Sequence, residues 1–460
     1  MIPTLLLIGL VASGLFFLED SEGAADPVAS LGEQQANNTI LESLGAQGME
    51  EGTGGEQDPG SQQENGPGGN GLADSGDGLG NGGESREPED AFQEYDVTLM
   101  ALGDNLMHMG IVQTGRQEDG TYDYSFLFQD ILPYLEQADI KMINQETILG
   151  GNELGFSGFP YFNSPTEVGD AIVEAGFNVV LHATNHAADQ GIKGLYHCVD
   201  YWKQHPEVMM TGILGEEDTE SIPLLEVGGL TFAILNYTYG PNMEVLPSNL
   251  RGHLNMLCAY NEKTGAIDFT TLNPQVIADI EEVRALADIV VVCPHWGTEY
   301  QDVPSSYQRS FAEQMAQAGA DLIIGTHPHV PQPVEWVEAE NGRKALCYYS
   351  LGNYVSTQKQ ALCMLEGMAW VTFHVTEEGV SIAEEKSGVL PLVCQYRSGP
   401  VRLDRVYTLE EYTEELAASH GIRGYGGVTL RLSDLQDWSR EIFGDWVMAS
   451  GDILEQGKEE

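Results

Sequence analysis

Six short polar clusters recur along this chain, and several stand directly after an apolar run with strand character. They are Gly103-Asp104, Asn144-Gln145-Glu146, Asn185-His186, His295-Trp296-Gly297, Gly325-Thr326-His327-Pro328-His329 and Ser350-Leu351-Gly352-Asn353. In α/β folds ligands bind just beyond the carboxyl ends of the sheet strands. Asp, Glu, Asn and His gathered at such ends form the donor set of a two-metal hydrolytic site. The pattern therefore constrains fold and chemistry together.

The spacing of apolar residues predicts strands at 96–102, 139–143, 177–181, 232–237, 288–293, 321–324, 345–349 and 368–375. Helices are predicted at 126–137 (with Pro133 inside), 166–175, 188–204, 274–287 and 305–318, and a last one at 432–453. Strand and helix alternate through most of this, which is an α/β class.

Each cluster has a chemical reading. His327 and His329 follow the run Asp321–Ile324, and two imidazoles two residues apart can aim at one centre. Gly325 would let the chain turn sharply, and Pro328 would favour an extended His327. His295 closes another apolar run and offers a third nitrogen. Asp104 and Glu146 supply the negative charge that divalent cations need, and one carboxylate can bridge two ions. The Asn185 carbonyl can also ligate, while His186 faces substrate as a general acid. Asp189 either orients His186 or caps the next helix. His108, four residues after Asp104, is a further nitrogen ligand, a substrate contact or a plain surface residue. No G-x-S-x-G elbow or P-loop is present, and no dinucleotide glycine pattern follows a predicted strand.

Lys and Arg number 20 against 71 Asp and Glu, a formal net charge of −51. Such a surface excludes nucleic acid as a partner, and an anionic substrate would have to be held through cations. Residues 1–19 are expected to be a signal peptide or membrane anchor. The 17-residue, largely apolar stretch at 2–18 reaches about 25 Å against a hydrocarbon core of about 30 Å. The acidic flank that follows points to a non-cytoplasmic exit. Residues 20–92 carry sixteen acidic residues and one base, Arg86, and are rich in Gly. They read as a disordered acidic linker. The folded domain is expected at 93–400, with a partly helical extension at 401–460. The six cysteines permit disulfides in an exported protein, although Cys293 and Cys347 read as buried apolar residues.

Taken in order, these clusters resemble the bacterial poly-γ-glutamate capsule-synthesis proteins of the CapA/PgsA type. That family resembles a branch of the calcineurin-like metallophosphoesterases, and the likeness covers residues 97–355. It implies a metallophosphatase-like sandwich of two mixed sheets flanked by helices, holding two divalent ions (Mn, Zn or Fe). Asp104 would hold the first ion with His329, and Glu146 would bridge. Asn185, His295 and His327 would hold the second, with His186 as proton donor. The wider superfamily has Asp-x-His in its first motif, which is absent here, and Glu146 stands where Asp is usual.

The implied function is a membrane-anchored, extracytoplasmic protein of poly-γ-glutamate capsule synthesis or export with a phosphoesterase-like hydrolase site. Its partners would be the anionic polymer or a phosphoester, and a membrane synthase or exporter complex. Two alternatives are a non-catalytic polymer-binding component of a capsule synthase and a secreted metallophosphatase.

Overall fold

A computed structural model describes residues 92–219 and 222–456. The expected anchor and almost all of the expected linker lie outside the described residues. Among the described residues, no helix is long and apolar enough to cross a membrane.

The chain builds one sheet, leaves it for a second, and returns to the first. Strands β1 (Tyr95–Asn105), β2 (Ile140–Asn144), β3 (Val179–Leu181) and β4 (Met209–Thr211) lie side by side and parallel. Helices Glu167–Ala175 and Gly191–Trp202 fill the two later connections. The second sheet takes β5 (Leu224–Val227) and β6 (Leu230–Thr238), and a separate hairpin, β7 (Cys258–Tyr260) with β8 (Ile267–Leu272), follows. Then come β9 (Ile289–His295), β10 (Leu322–Ile324), β11 (Pro331–Glu338) and β12 (Lys344–Leu351), with helices Pro274–Val283 and Ser306–Ala318 between them. Last, β13 (Asn353–Val355), β14 (Leu365–Thr376), β15 (Gly379–Ile382), β16 (Gly388–Arg397) and β17 (Arg402–Thr408) rejoin the first sheet.

The first sheet runs β17-β16-β14-β1-β2-β3-β4, with β13 on β1 and β15 on β14; the second runs β11-β12-β10-β9-β6-β5. Both are mixed: the first is parallel from β1 to β4 and antiparallel from β1 to β17, and the second has a parallel centre with antiparallel edges. Side chains alternate between faces with a period of two. In β1, Leu99 and Ala101 point toward the other sheet, while Met100 and Leu102 pack under helices. Phe232, Ile234, Val291 and Leu346 answer from the second sheet, and its outer face packs Val290 and Val292 against Val276, Ile280, Phe311 and Met315. The result is four layers, helix–sheet–sheet–helix, with both faces of each sheet covered. That coverage is why these strands read as nearly unbroken apolar runs. Each fully buried Val, Leu, Ile or Phe contributes about 1.5–3 kcal/mol relative to exposure.

The predicted α/β sandwich of two mixed sheets is therefore the observed one. Details differ. The helix expected over 126–137 is only a 3-10 turn, Ser125–Leu127, and one α-turn, Leu132–Leu135, because Pro133 can only begin a helix. The helix expected over 432–453 stops at Phe443, where Gly444 takes φ +55°, and resumes at Ser450. Residues 402–408, placed by sequence in an extension, are the edge strand of the large sheet. All six cysteines are buried and free.

Candidate metal centre

Parallel strands bring their carboxyl ends to the same edge, and the two sheets present those edges to each other. Asp104 is the penultimate residue of β1, Glu146 lies two residues beyond β2, and Asn185 and His186 sit in the turn after β3. His295 ends β9, and His327 and His329 follow β10. The chain crosses between sheets at Gly352 (φ +76°), where β13 leaves β12 to pair with β1 at Asp104–Asn353. Gly103 permits the crossing: a Cβ there would stand 2.0 Å from the Gly352 carbonyl oxygen. Gly325 is needed for a similar close approach, to the Tyr349 carbonyl, and not for the sharp turn its position suggests.

The six expected ligands converge. One ligand atom from each of Glu146, His295 and His327 lies within 4.8 Å of the others, and the same holds for Asp104, Glu146 and His329. Glu146 belongs to both groups. Its carboxylate is 3.9 Å from Nε2 of His295 and 3.8 Å from Nδ1 of His329. Asn185 Oδ1 lies 3.0 Å from His295 Nε2. Asp104 accepts from the Asn144 amide at 2.8 Å and faces His329 Nδ1 at 3.1 Å.

The donor set fits divalent cations. Both carboxylate oxygens of Glu146 and Nδ1 of His327 are buried without a hydrogen-bond partner. Buried polar atoms are nearly always satisfied, so three orphans on two residues of one ligand group call for a ligand. A mixed imidazole and carboxylate set suits Mn, Zn or Fe.

Electrostatics agree. Burial, and then the Asp104 charge, holds the Glu146 carboxyl well above the ordinary range. Burial and the neighbouring imidazoles hold His295 and His327 well below it, leaving them neutral and able to ligate. For His329 burial works downward, but the Glu146 and Asp104 carboxylates outweigh it and push the ring up to about 10. A positive charge is thus favoured between these two carboxylates.

The backbone departs from expectation at the His-Pro-His loop. His327 and His329 have φ +98° and +59°, so Pro328 does not hold His327 extended. Positive φ at residues other than Gly costs of the order of 1–3 kcal/mol and collects at functional sites. Here the loop is held by the Asp104 carboxylate, which accepts from the His327 N–H at 3.3 Å, and by the Asn353 amide, which donates to the His329 carbonyl at 3.0 Å.

His186 stands beside the ligand cluster. Its Nδ1 is 2.7 Å from Asp189 Oδ2, and its ring meets Phe162 edge-on at 4.7 Å. Asp189 orients His186, one of its two expected roles, and also accepts from the Phe162 N–H at 2.7 Å. His108 is not a plain surface residue: its ring packs on Phe162 at 5.4 Å, and burial, then the His329 and His186 charges, lowers it to about 3.

Sequence reading missed two contributors, Glu299 and Tyr239, and left the parts played by Thr326 and Asn353 within their clusters undefined. Glu299 groups with His327 and His329, again within 4.8 Å. It lies two residues beyond Gly297 in a cluster already singled out, and that position was its only signal. Thr326 binds His295 Nδ1 at 2.9 Å, and Asn353 Oδ1 reaches His329 Nδ1 at 3.0 Å. Such partners fix ring orientation at metal sites. Tyr239 packs over His327 at 4.7 Å.

Comparison with known proteins follows the same lines. The chain is 27% identical over 321 residues to the capsule biosynthesis protein CapA of Bacillus anthracis, covering 68% of this chain and 71% of that one. It is 32% identical over 208 residues to the PGA biosynthesis protein CapA of Bacillus subtilis (strain 168), covering 45% of this chain and 49%, about half, of the relative. Among solved structures, a candidate 5'-nucleotidase from Staphylococcus aureus in complex with α-ketoglutarate aligns with a TM-score of 0.41 at 15% identity, over 75% of this chain and 59% of that chain, too distant to inform the chemistry. Residues 98–358, more than half of the chain and the span that carries every ligand described above, match the family of the bacterial capsule synthesis protein PGA_cap, and the chain belongs to that family.

Proposed function

We propose that this protein is a membrane-tethered, extracytoplasmic hydrolase of capsule assembly, acting on an anionic polymer of the poly-γ-glutamate class or on a phosphoester intermediate. The family membership and the names of the two Bacillus relatives support the capsule role. The observation that carries the chemistry is Glu146, an unpartnered buried carboxylate shared by two ligand groups. When bound, two divalent cations would supply transition-state charge stabilisation and acidify water.

The chain's own residues supply the remainder. Asp104, Glu146, Asn185, His295, His327 and His329 would hold the cations. His186, oriented by Asp189, delivers a proton to the leaving group from Nε2. Phe162 packs on that imidazole and keeps water from one of its faces. The Asp-His pair holds one ring nitrogen so that the other faces outward.

The test is turnover by the purified full-length protein with Mn²⁺, using model phosphodiesters and γ-glutamyl chains. Hydrolysis that disappears in His295→Ala and His329→Ala supports the reading. Mn²⁺-dependent retention of γ-glutamyl chains without any hydrolysis would replace it with a polymer-binding role. Fractionation of cells between membrane and medium tests the tether.

A further inference from the structure

Glu299 stands outside the six-ligand set, yet its position is tightly specified. It lies in a four-residue turn between Gly297 (φ +90°) and Tyr300 (φ +63°). A positive φ on a bulky residue such as Tyr is an outlier that surrounding structure must enforce. Here the Tyr300 N–H donates to the Pro328 carbonyl at 2.8 Å, tying the turn to the His-Pro-His loop. The Gln332 amide donates to the Gln301 carbonyl at 2.8 Å, and the Gln358 amide to the Tyr300 hydroxyl at 3.1 Å. The strained turn aims the Glu299 carboxylate into the space between His327 and His329.

Those two imidazoles belong to different ligand groups. His327 goes with Glu146 and His295, and His329 with Asp104 and Glu146. Glu146 therefore reaches both groups from the floor, where it is fully buried. Glu299 reaches both through His327 and His329 and is only partly buried, which puts it on the more exposed side of the centre. Its charge is also among those that raise Glu146 and His329.

We propose that Glu299 is an outer carboxylate ligand that faces both cation positions from the solvent side, and that an anionic oxygen of the substrate displaces it on binding. The inference rests on the two-cation reading above. A carboxylate can bind one ion or span two, so exchanging it for a substrate oxygen leaves the ions' charge balanced. The second independent observation is Nδ1 of His327, buried without a hydrogen-bond partner on one of the two imidazoles that Glu299 approaches.

The experiment is calorimetric titration of the full-length protein with Mn²⁺ alone, then of the Mn²⁺-saturated protein with inorganic phosphate. Glu299→Gln is expected to weaken Mn²⁺ binding by at least about tenfold and to tighten phosphate binding, because the competing carboxylate is gone. Glu299→Asp, which keeps the charge but withdraws it, should fall between. Unchanged Mn²⁺ and phosphate binding in Glu299→Gln, with binding by the parent intact, overturns the inference and leaves the metal centre standing. Weaker Mn²⁺ binding with weaker or unchanged phosphate binding overturns the displacement. No Mn²⁺ binding by the parent overturns both this inference and the reading beneath it.

Discussion

The hydroxyl of Thr326 lies 2.9 Å from Nδ1 of His295, while Nε2 on the far side of the same ring lies 3.0 Å from Oδ1 of Asn185. The Asn185 carbonyl can only accept, so Nε2 carries the proton and the hydroxyl donates to Nδ1. If both Nε2 and Oδ1 turn to a cation, the ring proton belongs on Nδ1, and the same hydroxyl can accept it. Thr326 therefore supports either tautomer. Thr326→Val should lower Mn²⁺ affinity by about 10–100-fold, as outer partners of ligating histidines do, while Thr326→Ser should not. Calorimetry at constant pH reads the difference.

Cation binding should release protons. His329 is raised from 6.5 to about 10, so its folded-state contribution is complete below 6.5 and is lost as pH climbs through about 10. Glu146 is raised above 4.5, so it too favours the protonated form in the fold. Ligation requires the deprotonated groups. Mn²⁺ affinity should thus rise between pH 6 and pH 8. Titrations in buffers of different ionisation enthalpy should show protons expelled at pH 7; identical heats in all buffers would contradict this.

Much of this centre was legible because strand-end chemistry is local. Asp104 and His295 close apolar strands and the His-Pro-His pair comes shortly after one, and the partners of each strand lie in the same sheet. Glu299 was hidden because its role depends on a turn whose backbone is dictated by contacts with Pro328, 28 residues away by the hydrogen-bonded pair Tyr300–Pro328. Thr326 stands in the sequence beside the His-Pro-His pair with no role of its own, and only the third dimension reveals it as the partner of His295. Short strands such as β4 and β13 carry too few residues for periodicity to register, and pairing alone defines them. The 126–137 segment misled because its apolar spacing is helical while Pro133 forbids a continuous helix.

His186 and Asp189 separate chemistry from cation binding. His186→Ala should reduce turnover by about 10²–10⁴-fold, the usual contribution of a positioned acid, with Mn²⁺ affinity retained. Asp189→Asn should reduce turnover less. It should also lower the melting temperature, because the carboxylate accepts from both His186 and the Phe162 N–H.

Glu366 on β14 is a fully buried carboxyl whose oxygens meet no well-placed donor. Burial raises it well above 4.5, and a weak approach from the Gly103 N–H offsets this only in part. A raised folded-state value means stability is present below 4.5 and falls as pH rises. Glu366→Met should therefore stabilise the protein by about 1–3 kcal/mol at pH 8 and by little at pH 4.5, measured by denaturant unfolding.

Because the polypeptide departs from one sheet and comes back to it, Asp104 and His329, 225 residues apart, meet across the seam. Neither half of the molecule owns the centre. A cation gripped there would act as a rivet between two slabs, and loading and unfolding would become one cooperative event. A proteolytic piece that carries a single slab would lack half of the donors and should bind no Mn²⁺ at this centre.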